Sequence, residues 1–350
     1  PALALWSSKP PATAGRRELR PRDQRALRLT ARRTWRYFET WVTPADHMLP
    51  PDNFQEEPKP VLARRTSPTN IGLYLLSAVA ARDFGWAGTL DTVERLEATM
   101  ATLRDLPQHR GHFFNWYGTA DLRVLDPPYV SSVDSGNLAG HLVTLANACE
   151  LWRDAAPSVT GRSGMDDALQ LALQAATLLP GEAGGPAARL RDLLADMSAQ
   201  LQGPRSVEAI APVLARLVEK AALAAQGLWT TRLDQAQPEL AQPAPVQRDQ
   251  MQRDPMQRDP MQRDPAHNDE ATDLVYWIRA VGRCAASHAR DRRQEQTAQA
   301  LADRLQALAD TARGLALAMD FAFLMDPERR LLSIGYALAA QRLDPSCYDL

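Results

Sequence analysis

Two stretches of this chain, 71–81 and 137–152, are apolar on nearly every side when wound as helices. A helix without a polar face must be covered on all sides, so each of these needs neighbours all round. The first carries only Gly72, Ser77 and Ala78 as small interruptions, and the second is broken mainly by Asn147. Each is followed by a one-faced helix. Over 89–104 the apolar positions Leu90, Val93, Leu96, Met100 and Leu103 oppose Glu94, Arg95, Glu97 and Arg104, with Thr89 placed to cap. The segment 165–179 is amphipathic in the same way. Buried helix, surface helix, buried helix, surface helix is the order produced by a double ring, with an inner layer shielded by an outer one. The fold class expected is therefore mainly α, as part of an α/α toroid, although large helical bundles also bury helices completely. Loops 52–57, 64–70 and 111–137 would converge at one rim of such a ring.

The remaining chain sets the limits of that unit. Residues 1–22 are a lead-in rich in Pro, Arg and Ala, and 23–42 reads as a helix with Leu27, Ala31, Trp35, Phe38 and Val42 on its core face. The first part of the helical domain spans 23–180. A long helical insertion follows over 181–314, with helices near 187–202 and 206–228 and two more over 273–317, antiparallel to them. Inside it, Met-Gln-Arg-Asp-Pro occurs three times over 251–265. Units that short, each with a proline and little apolar surface, can neither continue a helix nor pack, so 235–270 reads as a disordered linker. At 319–325 and 331–338, alternating apolar residues flank Asp326-Pro327-Glu328-Arg329-Arg330, the pattern of a small β-hairpin opening the remainder of the domain over 315–350. The chain starts at Pro1 and stops at Leu350 soon after that hairpin, and it reads as a piece of something longer.

Several chemistries are not expected. A net charge of −2 gives no field for nucleic acid. Three scattered cysteines suggest neither a disulfide framework nor a zinc site. His109 and His112 have no acidic or thiol group at ligand spacing, so no metal is expected. No Gly-rich phosphate loop, no Gly-x-Ser-x-Gly elbow and no apolar run of membrane length is visible. What stands out is the stretch 111–141, where Asn115, Trp116, Tyr117, Asp134, Ser135 and Asn137 set aromatic plates beside short directional hydrogen-bonding groups. A sugar has C–H faces to stack and hydroxyls to pair. The same residues also suit a helix entry with Asp134 or Ser135 as its cap and the aromatics in the core. Glycoside chemistry needs an acid and a second carboxylate. The loop carboxylates best placed for such work are Asp52, Glu56, Glu57 and Asp134, and spacing does not select among them.

Longer strings narrow the field. Thr34-Trp35-Arg36-Tyr37-Phe38-Glu39-Thr40, Pro50-Pro51-Asp52-Asn53-Phe54-Gln55-Glu56, and the run from Arg65 through Ser67-Pro68-Thr69-Asn70 to Tyr74 resemble the central region of bacterial cyclic β-1,2-glucan synthases. So do Ala81-Arg82-Asp83-Phe84-Gly85-Trp86, Gly111 to Tyr117, Tyr129 to His141, and Met319-Asp320-Phe321 through Gly335-Tyr336. The resemblance is dense over 30–153 and 315–350. It implies a large inner-membrane enzyme whose N-terminal part uses UDP-glucose as donor and whose C-terminal part is related to glycoside phosphorylases. Its central, glycoamylase-like (α/α)6-type barrel closes linear β-1,2-glucan into rings by transglycosylation. On that resemblance this chain is the first portion of the barrel, itself needing no cofactor and lying soluble on the cytoplasmic side. Its partners would be linear β-1,2-glucan and the other domains of the same polypeptide. The catalytic pair would lie beyond Leu350, with Glu56 and Asp134 as weak candidates within the chain. Glucan-binding positions would be Asp52, Asn53, Gln55, Arg65, Asn70, Asn115, Trp116, Tyr117, Asp134 and Asn137. The rival expectation is a non-catalytic glucan-binding or scaffolding module of the same enzyme.

Overall fold

Ser67 begins the helix that organises the N-terminal half. Its Oγ accepts the Asn70 N–H at 3.2 Å, and Pro68, which has no N–H to satisfy, takes the first helical position. We describe the protein from a computed structural model covering residues 19–154, 160–179, 185–236, 270–293 and 297–348. Among the described residues the chain is mainly helical. The helices are α1 (Pro21–Trp41), α2 (Pro68–Asp83), α3 (Thr89–Asp105), α4 (Ser132–Asp154), α5 (Gly161–Thr177), α6 (Pro186–Gln202), α7 (Val207–Ala236), α8 (Glu270–Arg292) and α9 (Ala298–Leu317). Most of the lead-in expected over 1–22, and the linker with its Met-Gln-Arg-Asp-Pro repeat, lie outside the described residues.

The side chains form two cores. Ile71, Tyr74, Leu75, Val93, Leu96, Met100, Leu138, Leu142, Leu145 and Trp152 meet Leu305, Leu308 and Ala312 in the first. Met165, Leu169, Leu190, Leu194, Ile210, Leu214, Leu274, Trp277 and Val281 make the second. Sequence reading placed both helices of 273–317 against the preceding excursion. α8 does pack on α7 of that excursion, and also on α5, whereas α9 crosses back onto α4 and α3.

Helix α1 lies between the cores and serves both. Trp35 is buried in the first, while Arg32, 2% exposed, points toward the second and lies over the rings of Trp86 and Trp277. This corrects the expected core face: Leu27 stands in solvent, and Leu29 and Arg32 are buried instead. Arg28 pairs with Asp167, Arg36 with Asp273 at 2.6 Å, and Arg32 with Glu39 at 3.0 Å. A stripe that looks polar in sequence is thus an internal seam.

Two further expectations change. Thr89 does not cap α3; it is the first helical residue. The cap comes from α8, where Asp291 accepts the Thr89 and Leu90 N–H groups at 2.7 and 2.9 Å and Ser287 Oγ accepts from Gly88 at 2.7 Å. The two apolar helices are also not covered on every side. Leu73 on α2 and Val143 and Leu151 on α4 are exposed, and Gly136 and Gly140 open onto free space.

Short strands fix the loops. β1 (Phe54–Gln55) pairs with β2 (Val61–Leu62), β3 (Arg65–Thr66) with β6 (Tyr117–Gly118), and β4 (Gln108–His109) with β5 (His112–Phe113). The expected hairpin is present in reduced form, as β8 (Met325–Asp326) against β9 (Leu331–Leu332). Residues 321–324 form a 3-10 turn rather than a strand, because Asp320 caps it by accepting from Ala322 N at 3.0 Å. β10 (Gly335–Ala337) then turns away to pair with β7 (Tyr129–Ser131) on one side and β11 (Arg342–Leu343) on the other.

Candidate functional site

The N-terminal turn of α2 holds two carboxylates through adjacent residues. Asn70 Nδ2 donates to Asp52 Oδ1 at 3.2 Å, and Thr69 Oγ1 donates to Asp134 Oδ1. The other oxygen of Asp52 accepts from Arg65 Nη2 at 3.0 Å, from Arg65 Nε at 3.2 Å and from Asn53 Nδ2 at 3.0 Å. With its amide turned so that the nitrogen faces Asp134, Asn115 donates to Asp134 Oδ2 at 2.9 Å. Its oxygen then accepts the Trp116 indole N–H at 3.2 Å. The Arg65 guanidinium lies 4.7 Å from the centre of the Trp116 ring. Trp116 therefore bridges the two halves: its face meets the group that holds Asp52, and its N–H meets the group that holds Asp134. Asn137 closes the circuit by donating to Thr69 Oγ1 at 3.4 Å.

Local backbone explains this convergence. Pairing of Arg65 with Gly118 and of Thr66 with Tyr117 brings the loop before α2 alongside the Trp116 segment. Asn115 N donates to Tyr129 O at 2.7 Å, tying that segment to the strand that feeds α4. The cap of α4 is Ser131, whose Oγ accepts the Asp134 N–H at 3.2 Å, rather than Asp134 or Ser135 as the sequence suggests. Asp134 is thereby released from capping and stands in the first helical turn, where an anion is favoured by the helix dipole.

The structure separates the sequence-predicted residues into three groups. Asp52, Asn53, Arg65, Asn70, Asn115, Trp116, Asp134 and Asn137 belong to one hydrogen-bonded rim. Tyr117 lies beneath it, with 0% exposure. Its hydroxyl donates to Pro107 O at 2.6 Å and accepts from Phe114 N at 2.7 Å, and burial raises its pKa well above the usual phenol value. It supports the loop from below and offers no surface to a ligand. Gln55, Glu56 and Glu57 are exposed in and after β1, where Gln55 Nε2 donates to Glu57 O at 2.6 Å. Phe54 anchors that hairpin by stacking on Trp41 at 5.2 Å.

Two rim residues were not singled out by sequence. Thr69, the clamp on Asp134, reads in sequence as part of a helix entry. Tyr37 donates to Pro51 O at 3.1 Å; burial and then the charge of Asp52 push its hydroxyl up to about 12. An aromatic of α1 that lies off the expected core face carries no sequence signal for such a place.

Chemically, both carboxylates already hold neutral or cationic donors. They are built to accept in fixed directions. The Arg65–Asp52 pair has an arginine 51% exposed. Exposed pairs of that kind are worth only about 0–1 kcal/mol, so an incoming hydroxyl can compete for either partner. Among the described residues no cluster of His, Cys, Asp and Glu is arranged to hold a metal ion, and no helix is long and apolar enough to cross a membrane. A cavity of about 430 Å³ lies elsewhere, between α1, α5 and the end of α6. Its charges are spent internally, with Arg28 on Asp167 and Arg25 3.7 Å from Asp166.

Comparison of the sequence with known proteins supplies a relative. The sequence is 39% identical over 351 residues to the cyclic beta-(1,2)-glucan synthase NdvB of Rhizobium meliloti (strain 1021). From end to end, this chain is similar to one segment of that synthase. The alignment takes in 100% of the chain, including the helical middle between the two regions of dense resemblance, and the chain spans 12% of the synthase's length. No family model matches the sequence.

Proposed function

We propose that this chain is a segment of a polypeptide that makes cyclic β-1,2-glucan, and that its rim grips the linear glucan while the ring is closed. One observation carries the reading: Asp52 and Asp134 are held side by side by Asn70 and Thr69, with Trp116 between them. Oriented acceptors flanking an indole suit a glucose ring, which presents hydroxyls at its edge and C–H groups on its face. The similarity to NdvB supplies the linkage.

Ring closure is transglycosylation. One β-1,2-glucosidic bond breaks, and a bond of the same kind forms to the chain's own distal hydroxyl, so water is not consumed. The chemistry needs a nucleophilic carboxylate and an acid. Because Asp52 and Asp134 are both committed to donors, they orient substrate in this reading, and the catalytic pair belongs to a part of the polypeptide outside this chain. The bare faces of α2 and α4, with Leu73, Val143 and Leu151 exposed, suit further helices of an α/α toroid packed against them. UDP-glucose would serve as donor in a separate transferase part, in a polypeptide held at the inner membrane with this segment on its cytoplasmic side.

The commitment of both carboxylates equally favours a second reading, in which the segment is a non-catalytic glucan-holding module. Calorimetric titration of linear β-1,2-glucan into the 350-residue chain, with a β-1,3-glucan as control, tests binding. Selective binding that Trp116→Ala removes is expected. Equal affinity for both glucans, or none in a folded chain, refutes the reading. In the whole enzyme, Trp116→Ala separates the two: loss of rings with synthesis of linear glucan intact marks a part in cyclisation, and a parallel fall in both marks a scaffold.

A further inference from the structure

Arg65 already makes, within the rim, the two contacts that a sugar would make. Its guanidinium lies 4.7 Å from the centre of the Trp116 ring. The same group donates to Asp52 Oδ2 from Nε at 3.2 Å and from Nη2 at 3.0 Å. A flat group on an indole, with donors at its edge directed to a carboxylate, is also what a glucose ring presents, with C–H groups on its face and hydroxyls around it. Stacking a glucose ring where the guanidinium lies, with its hydroxyls on Asp52 Oδ2, needs the space and the acceptor that the arginine holds.

The three partners are not equally anchored. Trp116 is tied at its carbonyl, which accepts from Leu125 N at 3.0 Å, and at its indole N–H, which donates to the turned Asn115 amide at 3.2 Å. Asp52 has 17% side-chain exposure and, without the arginine, still accepts from Asn70 at 3.2 Å and from Asn53 at 3.0 Å. Arg65 is fixed at its backbone by the pairing with Gly118, but its long side chain is half exposed. An exposed ion pair and an exposed cation–π contact are each weak, so sugar contacts can replace both. The arginine is the partner that gives way.

Building on the glucan reading above, we propose that Arg65 is an internal competitor of the site, covering Trp116 and pairing with Asp52 until a glucose ring displaces it from both. The contact is autoinhibitory: it keeps the aromatic face covered in the unliganded chain and lowers the affinity for glucan.

The test is calorimetric titration of linear β-1,2-glucan oligosaccharides into the 350-residue chain and its Arg65→Ala, Arg65→Met and Trp116→Ala variants, with melting temperatures recorded for each. Met keeps the apolar stem of the arginine and loses its donors. Both Arg65 variants should bind more tightly than the parent, with Kd lower by about fivefold. Added salt screens the Arg65–Asp52 pair, so it should tighten binding by the parent and leave the Arg65 variants unchanged. Acrylamide quenching of the Trp116 emission, taken as the difference from the same protein carrying Trp116→Phe, checks the cover without any glucan and should rise in Arg65→Ala. Unchanged or weaker binding by the Arg65 variants at parental melting temperatures, with Trp116→Ala impaired, overturns the competitor and leaves the glucan reading standing. Unchanged quenching also overturns it, since the indole would then not be covered by the arginine. Absence of binding by the parent and by both Arg65 variants overturns the competitor and the glucan reading together.

Discussion

Glu39 offers the sharpest test of how the two cores are joined. It accepts from Arg32 at 3.0 Å, from Arg283 at 3.3 Å and from the Tyr276 hydroxyl. Arg32 lies at 2% exposure, 5.9 Å from the Trp86 ring centre and 5.1 Å from that of Trp277, and its Nη1 has no partner. Removing the carboxylate strands a buried guanidinium, and breaking one side of a buried pair costs about 3–5 kcal/mol. Because Glu39 keeps 17% side-chain exposure, the low end applies, about 3 kcal/mol for Glu39→Ala. Glu39→Gln still accepts from Arg32 and Tyr276 and should lose about 2 kcal/mol. The pH dependence has a definite sign. Burial alone would raise the Glu39 pKa, but the charges of Arg32 and Arg283 and the hydrogen bonds from Tyr276 and Arg32 outweigh it and hold it below the usual value. A depressed carboxylate stabilises the fold above its unfolded pKa, about 4.3, and that contribution fades as pH falls through the folded value. Urea unfolding followed by circular dichroism should therefore show the full gap between parent and Glu39→Gln at neutral pH and a closing gap below about pH 4. A neutral-pH gap under about 1 kcal/mol, or one that widens with acid, refutes the argument.

Two other substitutions probe elements beneath and beside the rim. Tyr117→Phe leaves Pro107 O and Phe114 N–H buried without their shared partner, and should cost about 1–3 kcal/mol in chemical denaturation while leaving the indole of Trp116 in place. Asp291→Ala removes the carboxylate that caps α3 from α8, and should cost about 1–2 kcal/mol, with hydrogen exchange rising first at Thr89 and Leu90.

What the sequence disclosed follows the range of the interactions involved. The start of α2 is legible because cap, proline and first turn are consecutive in Ser67-Pro68-Thr69-Asn70. The start of α3 is not, because its cap is Asp291, 202 residues from Thr89. The rim residues from Asp52 to Asn70 lie in one short stretch and can be grouped by eye, and Trp116 and Asp134 announce themselves as a plate and an acceptor. Which aromatic faces outward cannot be read: Trp116 and Tyr117 are neighbours, and only the pairing of Thr66 with Tyr117 turns the second one under. Arg32 misleads for a related reason. An arginine marks solvent until a carboxylate further along its own helix, an indole from the turn between α2 and α3 and another from α8 enclose it.

The pairing of β10 with β7 has a consequence for the order in which the molecule assembles. Ser131 and Gly335 become neighbours only after every helix from α4 to α9 has been made. Closing so long a loop is slow relative to local helix formation. A chain growing from its N-terminus can seat Thr69 on Asp134 early, while strand β10 has not yet been synthesised. The turn that begins α4 is thus braced from the side of α2 first, and β10 reaches it later. In a chain assembled in that sequence, the turn that carries Asp134 gains this second support only once the intervening helices have been made.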